Sequence, residues 1–284
     1  MIVIYGCERK NSMNTIFRLA LVFAVFLTGG FVCARGITNL SPTVEAQIYE
    51  GEIRSVSAGM WVEAEWRIEW PEEVFGASSD VLAAIQCQMI DDCFGNVSEF
   101  YPTPDKALQK IFSTAYSKLD VPPDEDGSVS PLLRHLDFQA NVSIKFADAG
   151  SMGYVLEGCH NEGGNGCHSY VKARVFSLST GCLLQESDFM TASGLKAFPK
   201  VFFDRVSRKP DVKPCSNANE NDAEAALGNF MIEPEGIRWW LRPYSVFPGY
   251  AGVQDMLLTW QELKPLLKPG KEKVFKGIFT KSTL

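Results

Sequence analysis

Histidine is scarce in this chain, with three in 284 residues, at His135, His160 and His168. A hydrolase triad or a histidine-rich metal centre therefore has little material. Clustered Lys and Arg are lacking too. With 27 basic against 34 acidic residues the net charge is -7, which excludes the basic stripe that nucleic-acid binding needs. Only one long apolar run occurs, near the N-terminus, so a multi-span membrane protein is excluded. The G-x-S-x-G elbow is missing, and the GGNG stretch at Gly163 to Gly166 lacks the Lys and Ser/Thr of a phosphate-cradling loop. What is present is a globular composition, 46% hydrophobic, 12% aromatic and 21% charged. The length fits one large domain or two small ones.

The stretch from Met13 has a basic Arg18, an apolar run from Leu19 to Leu27 and Val32-Cys33-Ala34 after it. This is the pattern of a secretory signal cleaved after Ala34, and the run is shorter than a bilayer span. The leading MIVIYGCERKNS fits no export pattern, which places the expected start at Met13. An exported chain in the periplasm or outside the cell follows, membrane-bound only if the signal stays uncleaved. Removing residues 1–34 takes away Glu8 against Arg9, Lys10 and Arg18, so the net charge falls by two, from -7 to -9.

Cleavage also leaves six cysteines, Cys87, Cys93, Cys159, Cys167, Cys182 and Cys215. An even number in an oxidising compartment predicts disulfides, and sequence proximity favours Cys87 with Cys93, Cys159 with Cys167 and Cys182 with Cys215. Cys159-His160 and Cys167-His168 offer four zinc-type ligands. Adjacent side chains of an extended segment point to opposite faces, however, so the expectation is a bridge and no metal or other cofactor. The acidic pairs Asp91 with Asp92 and Glu186 with Asp188 read as solvated loop charges, not as an acid and base pair.

Alternation of apolar and polar residues predicts strands over Met60 to Trp70, ended by Pro71, and over Leu136 to Phe146. Between them, Ser79 or Asp80 caps a helix carrying Val81, Leu82, Ile85 and Met89. Thr103-Pro104 starts a second helix. The segment at 121–131 is the best internal linker, which sets an N-terminal part at 35–130 and a C-terminal part at 131–284 of one continuous ectodomain. Further strands follow near Gly153 to Leu156 and Ser169 to Leu178, a helix at Ser193 to Val206, a hairpin at Phe230 to Leu241, and a strand at Met256 to Leu258. Thr259 and Glu262 are then spaced as a capping box for the last helix. The predicted class is α+β, a mainly antiparallel sheet packed by a few helices and stabilised by disulfides.

Two segments carry a family likeness. Phe176, Leu178, Thr180, Gly181, Leu184, Asp188 and Phe189, and then Phe230, Gly236, Pro243, Tyr244, Pro248, Gly252 and Leu263, resemble the bacterial envelope domain found in the RsiV anti-sigma factor and beside the deacetylase domain of PdaC. The likeness covers residues 153–267 well and residues 45–150 only in the order of elements. It departs at Gly166-Cys167-His168-Ser169 and at Pro248-Gly249-Tyr250, and the cysteines are not part of the pattern. The resemblance implies a non-catalytic envelope module that binds a protein such as lysozyme or accompanies peptidoglycan enzymes.

The expected function is thus an exported binding module whose ligand is a basic cell-wall hydrolase such as lysozyme, or peptidoglycan, with no nucleic-acid partner. The alternatives are an enzyme of cell-wall polysaccharide metabolism and a structural envelope protein without a soluble ligand. The expected binding surface is the loop from Arg242 to Gly252, with Pro243, Tyr244, Phe247, Pro248 and Tyr250. Proline-stiffened aromatic loops lose little entropy on binding.

Overall fold

The computed structural model describes residues 2–3, 34–41, 44–57, 60–95, 97–117, 135–148, 150–162 and 168–280. The linker at 121–131, Cys167, and nearly all of the signal segment lie outside them. The strands are β1 (Ile2–Val3), β2 (Ala34–Ser41), β3 (Val44–Ser57), β4 (Met60–Val74), β5 (His135–Ala147), β6 (Ser151–Glu162), β7 (His168–Ser177), β8 (Phe230–Glu233), β9 (Gly236–Leu241) and β10 (Gln254–Thr259). The helices are α1 (Ser79–Phe94), α2 (Pro104–Ser117), α3 (Glu186–Phe189), α4 (Ala192–Val206), α5 (Trp260–Leu263) and α6 (Lys271–Thr280).

A large sheet runs β1-β3-β4-β5-β6-β7, with β2 also paired to β3, and a small sheet runs β10-β9-β8. Neighbours are antiparallel except β4 and β5, which are parallel. A parallel neighbour requires a crossover, and α1 and α2 lie within that connection. The α+β expectation and its mainly antiparallel sheet therefore hold.

Each face of the large sheet carries its own core. On one face Trp66, Ile68, Trp70, Phe138, Val142 and Tyr154 pack with Ile85 and Met89 of α1. On the other, Val155, Ala173 and Val175 meet Phe198 and Phe202 of α4 and Phe230 and Trp239 of the small sheet. Strands buried on both faces read as nearly continuous apolar runs, as Met152 to Leu156 does. Burial of each large side chain contributes about 1.5–3 kcal/mol.

Several expectations are corrected. Pro71 does not end β4; the strand continues to Val74 through a register shift against Glu45 and Ala46, since bulges are where a strand tolerates proline. Ser78, not Ser79 or Asp80, caps α1, its hydroxyl accepting from the Val81 amide at 3.3 Å. The strand at Gly153 is longer than expected, that at Ser169 lies one residue earlier at the same length, and β2, β3 and α6 had no clear signal. A bulge between Ile144 and Phe146 turns Phe146 into the second core, although it keeps the sequence parity of Phe138 and Val142. Glu69, expected on the solvent face, is buried; its carboxylate accepts from the Ile144 amide at 2.9 Å beside that bulge and from Arg67 at 2.7 Å.

The expected cysteine pairing is also overturned for four of six. Cys87, Cys93, Cys182 and Cys215 are free thiols. Cys87 and Cys93 lie six residues apart on α1, about 600° of rotation, so one is exposed and the other buried. Cys159 is disulfide-bonded. Cys159 is buried and His160 exposed, as alternation along β6 dictates.

Candidate functional site

The segment after β9 is held from below and open above. Val246 and Phe247 are buried in the second core, and the Cys215 amide donates to the Val246 carbonyl at 2.9 Å. The Arg242 carbonyl accepts from the Ser245 hydroxyl at 2.6 Å, and Tyr244 is the single non-glycine residue with positive φ, 65°, among the described residues. A bulky residue in that region costs on the order of 1–3 kcal/mol and persists where its surroundings dictate it. The Tyr244 ring covers Gly249 so closely that a Cβ there would run into it. Gly252 turns the chain with φ 66°, a conformation that favours glycine.

Of the five residues expected to bind, Tyr244 and Tyr250 are 74% and 88% exposed. Pro243 and Pro248 are half-buried. Phe247 is a correction: it is 2% exposed and anchors the loop from inside, so a partner cannot reach it.

Beside this loop lies a cleft of about 330 Å³, lined by Tyr170, Lys172 and Arg174 of β7, by Leu227 to Asn229, and by Arg242, Pro243 and Val253. Lys172 and Arg174 of this lining belong to a charged network around Asp92, near the end of α1. The Asp92 carboxylate accepts from the Tyr154 hydroxyl at 2.8 Å and from Arg174 at 2.8 and 3.2 Å, and Lys172 pairs with it at 3.3 Å. Lys172 also donates to the Asp92 carbonyl at 2.8 Å and lies 5.7 Å from the Tyr170 ring centre. Burial alone would raise the Asp92 pKa, but the hydrogen bonds and charge of Arg174, with Lys172 and Tyr154, lower it below the ordinary carboxylate value. Burial and then the Asp92 charge push the Tyr154 phenol and the Cys93 thiol upward. The acid is thus kept ionised and fully occupied while the thiol is kept protonated, which describes a structural charge centre and not a general base or nucleophile.

Asn229 joins the two sheets at this point. Its Oδ1 accepts from the Ala173 amide at 2.7 Å, and its Nδ2 donates to the carbonyls of Val171 at 3.0 Å and Trp240 at 3.2 Å. The open edge of β7 is thereby covered. The acidic residues expected to be solvated are tied down as well. Asp91 accepts from the amides of Val97 and Ser98, and Glu186, 4% exposed, accepts from Gly228 N at 2.9 Å and Trp239 Nε1 at 3.0 Å. Lys172, Arg174 and Asn229 were missed in the sequence, and Arg242 was read only as the start of the loop. Arg174 alternates with apolar neighbours like an ordinary solvent-facing strand residue, and only the fold brings it to an acid 82 positions earlier.

Fold and site together define a class, an α+β domain with a large mixed sheet, a small antiparallel sheet on one face, and a rigid aromatic loop beside a basic cleft. Two solved structures share this fold. A member of the DUF3298 family from Bacteroides fragilis aligns with a TM-score of 0.62 at 12% identity, over 83% of this chain and 99% of that one. A DUF3298 family protein from Pseudomonas aeruginosa aligns with a TM-score of 0.50 at 12% identity, over 82% of this chain and 97% of that one. No family model matches the sequence, and no curated protein matches it.

Proposed function

We propose that this protein is a non-catalytic, exported binding module of the bacterial envelope, related to the RsiV and PdaC domains, and that the loop from Arg242 to Gly252 holds peptidoglycan. The observation that carries the reading is the pair Tyr244 and Tyr250, largely exposed on a loop whose base is fixed by Val246 and Phe247. Rigid exposed tyrosines present contact area at low entropic cost, and a flat ring suits the apolar face of a sugar. Lysozyme, the rival ligand, is favoured by the net charge of -7. It is opposed by Lys172, Arg174 and Arg242 next to the loop, because like charges repel a basic partner at that face.

The test is co-sedimentation of the full chain with peptidoglycan sacculi, alongside passage over immobilised lysozyme. Tyr250→Ala should weaken retention by roughly 1–3 kcal/mol and leave the melting temperature unchanged, because Tyr250 is 88% exposed. Retention of Tyr244→Ala and Tyr250→Ala at the unmodified level defeats the assignment of the loop. Retention by lysozyme and not by sacculi transfers it to the protein ligand.

A further inference from the structure

We propose that the cleft beside the tyrosine loop is a carboxylate-binding site, shaped for a carboxyl group carried on a short aliphatic chain. Three cations, Lys172, Arg174 and Arg242, line it. Asp92 pairs with two of them, and both of its carboxylate oxygens already accept from Tyr154, Arg174 and Lys172. Glu186, whose carboxylate accepts from the lining Gly228 amide at 2.9 Å, offsets a further charge, so one positive charge is left over at the cleft.

Donors remain as well as charge. Arg174 commits three N–H groups, two to Asp92 and one to the Gly228 carbonyl at 2.9 Å, out of the five that a guanidinium carries. Arg242 is exposed and forms no ion pair among the described residues. Its planar fork matches a carboxylate. Asn229, by contrast, spends its side chain on backbone groups and is not offered to a ligand.

The remaining walls select among oxyanions. Leu227, Pro243 and Val253 give the cleft an apolar side. The volume of about 330 Å³ exceeds what a bare ion fills and stands near the lower end of small-ligand pockets. A carboxylate with a few aliphatic carbons uses both the cations and the apolar wall. The site is distinct from the stacking role given to Tyr244 and Tyr250, and it stands without that role.

Two sources share this chemistry, a peptide C-terminus and a free aliphatic carboxylate. The experiment titrates the full chain with acetyl-D-alanyl-D-alanine, with its C-terminal amide, and with propionate, following the backbone resonances of Gly228 and Asn229. The dipeptide acid should shift them saturably and bind at least tenfold more tightly than the amide, since a charge-assisted pair is lost in the latter. Arg242→Gln should weaken the acid about tenfold, leave the amide unaffected and keep the melting temperature; Lys172→Gln gives a second reading. Propionate acting as strongly as the dipeptide identifies a free carboxylate, and the dipeptide alone identifies a peptide terminus. Equal binding of acid and amide, or resonances unmoved by all three probes, overturns the site. Tyr250→Ala should leave dipeptide binding intact, so failure of the loop reading and failure of this one are told apart.

Discussion

Replacing Asp92 by Asn removes one charge and almost no volume, which isolates the electrostatic part of its network. The side chain is 5% exposed and faces two cations, Arg174 at 2.8 Å and Lys172 at 3.3 Å. Loss of one partner from a buried ion pair typically costs 3–5 kcal/mol, because the other charge stays buried without compensation. Here Arg174 and Lys172 keep 20% and 34% of their side-chain exposure, and water screens part of the imbalance. The expected loss is therefore at the low end, about 3 kcal/mol. Urea unfolding followed by tryptophan fluorescence reads this directly, and the melting temperature should fall by roughly 6–12 °C. The pH dependence gives a second readout. The folded Asp92 pKa lies below the ordinary 3.8, so its stabilisation is complete well above that value. It declines as pH falls and the unfolded chain takes up the proton first, and it is gone below the folded pKa. Asp92→Asn should flatten this acid limb and leave the rest of the profile in place. In a double-mutant cycle, adding Arg174→Met should restore part of the loss. A loss under 0.5 kcal/mol, or strict additivity with Arg174→Met, would refute the argument that this charge is compensated only inside the network.

Asn229→Ala should cost about 2–3 kcal/mol, because it strips partners from the Ala173 amide and the Val171 and Trp240 carbonyls at once; chemical denaturation measures it, and fast hydrogen exchange at Ala173 localises it. Alkylation read by mass spectrometry should label the exposed Cys87 and Cys182 in the folded protein, the buried Cys93 only after unfolding, and Cys159 only after reduction. Labelling of native Cys93 at the rate of Cys87 would contradict its burial.

What was legible in the sequence was local. The Thr259 and Glu262 capping box forms, with the Glu262 amide donating to the Thr259 hydroxyl at 3.4 Å and the Thr259 amide to Glu262 at 2.8 Å. The hairpin at Pro234 to Gly236 forms for the same reason, since a turn and its flanking strands are neighbours in the chain. Errors arose where a distant partner overrides a local signal. Pro71 reads as a terminator, yet β4 runs past it because a register shift accommodates it. Glu69 reads as a solvent-facing charge, yet the bulge in β5 exposes an amide that needs an acceptor, and Glu69 supplies it from 75 positions away.

The candidate site divides along the same line. The tyrosine loop was visible because its prolines and aromatics stand together in the chain, and even Phe247 was misplaced only by its direction. The cleft had no such signature, since Asp92 comes from a helix, Lys172 and Arg174 from a strand on the far side of the crossover, and Arg242 from the loop that follows β9. Each alone is an ordinary surface charge. Their meeting depends on Asn229 fixing the small sheet against β7, so that the geometry of the basic cleft is tied to the same three hydrogen bonds that hold the sheets together. Stability and recognition therefore share a residue here. Asn229→Ala should degrade carboxylate binding through displacement of Arg242 relative to Arg174, whereas Arg242→Gln should degrade it with the fold intact, and only a site assembled across the two sheets separates these two variants in that way.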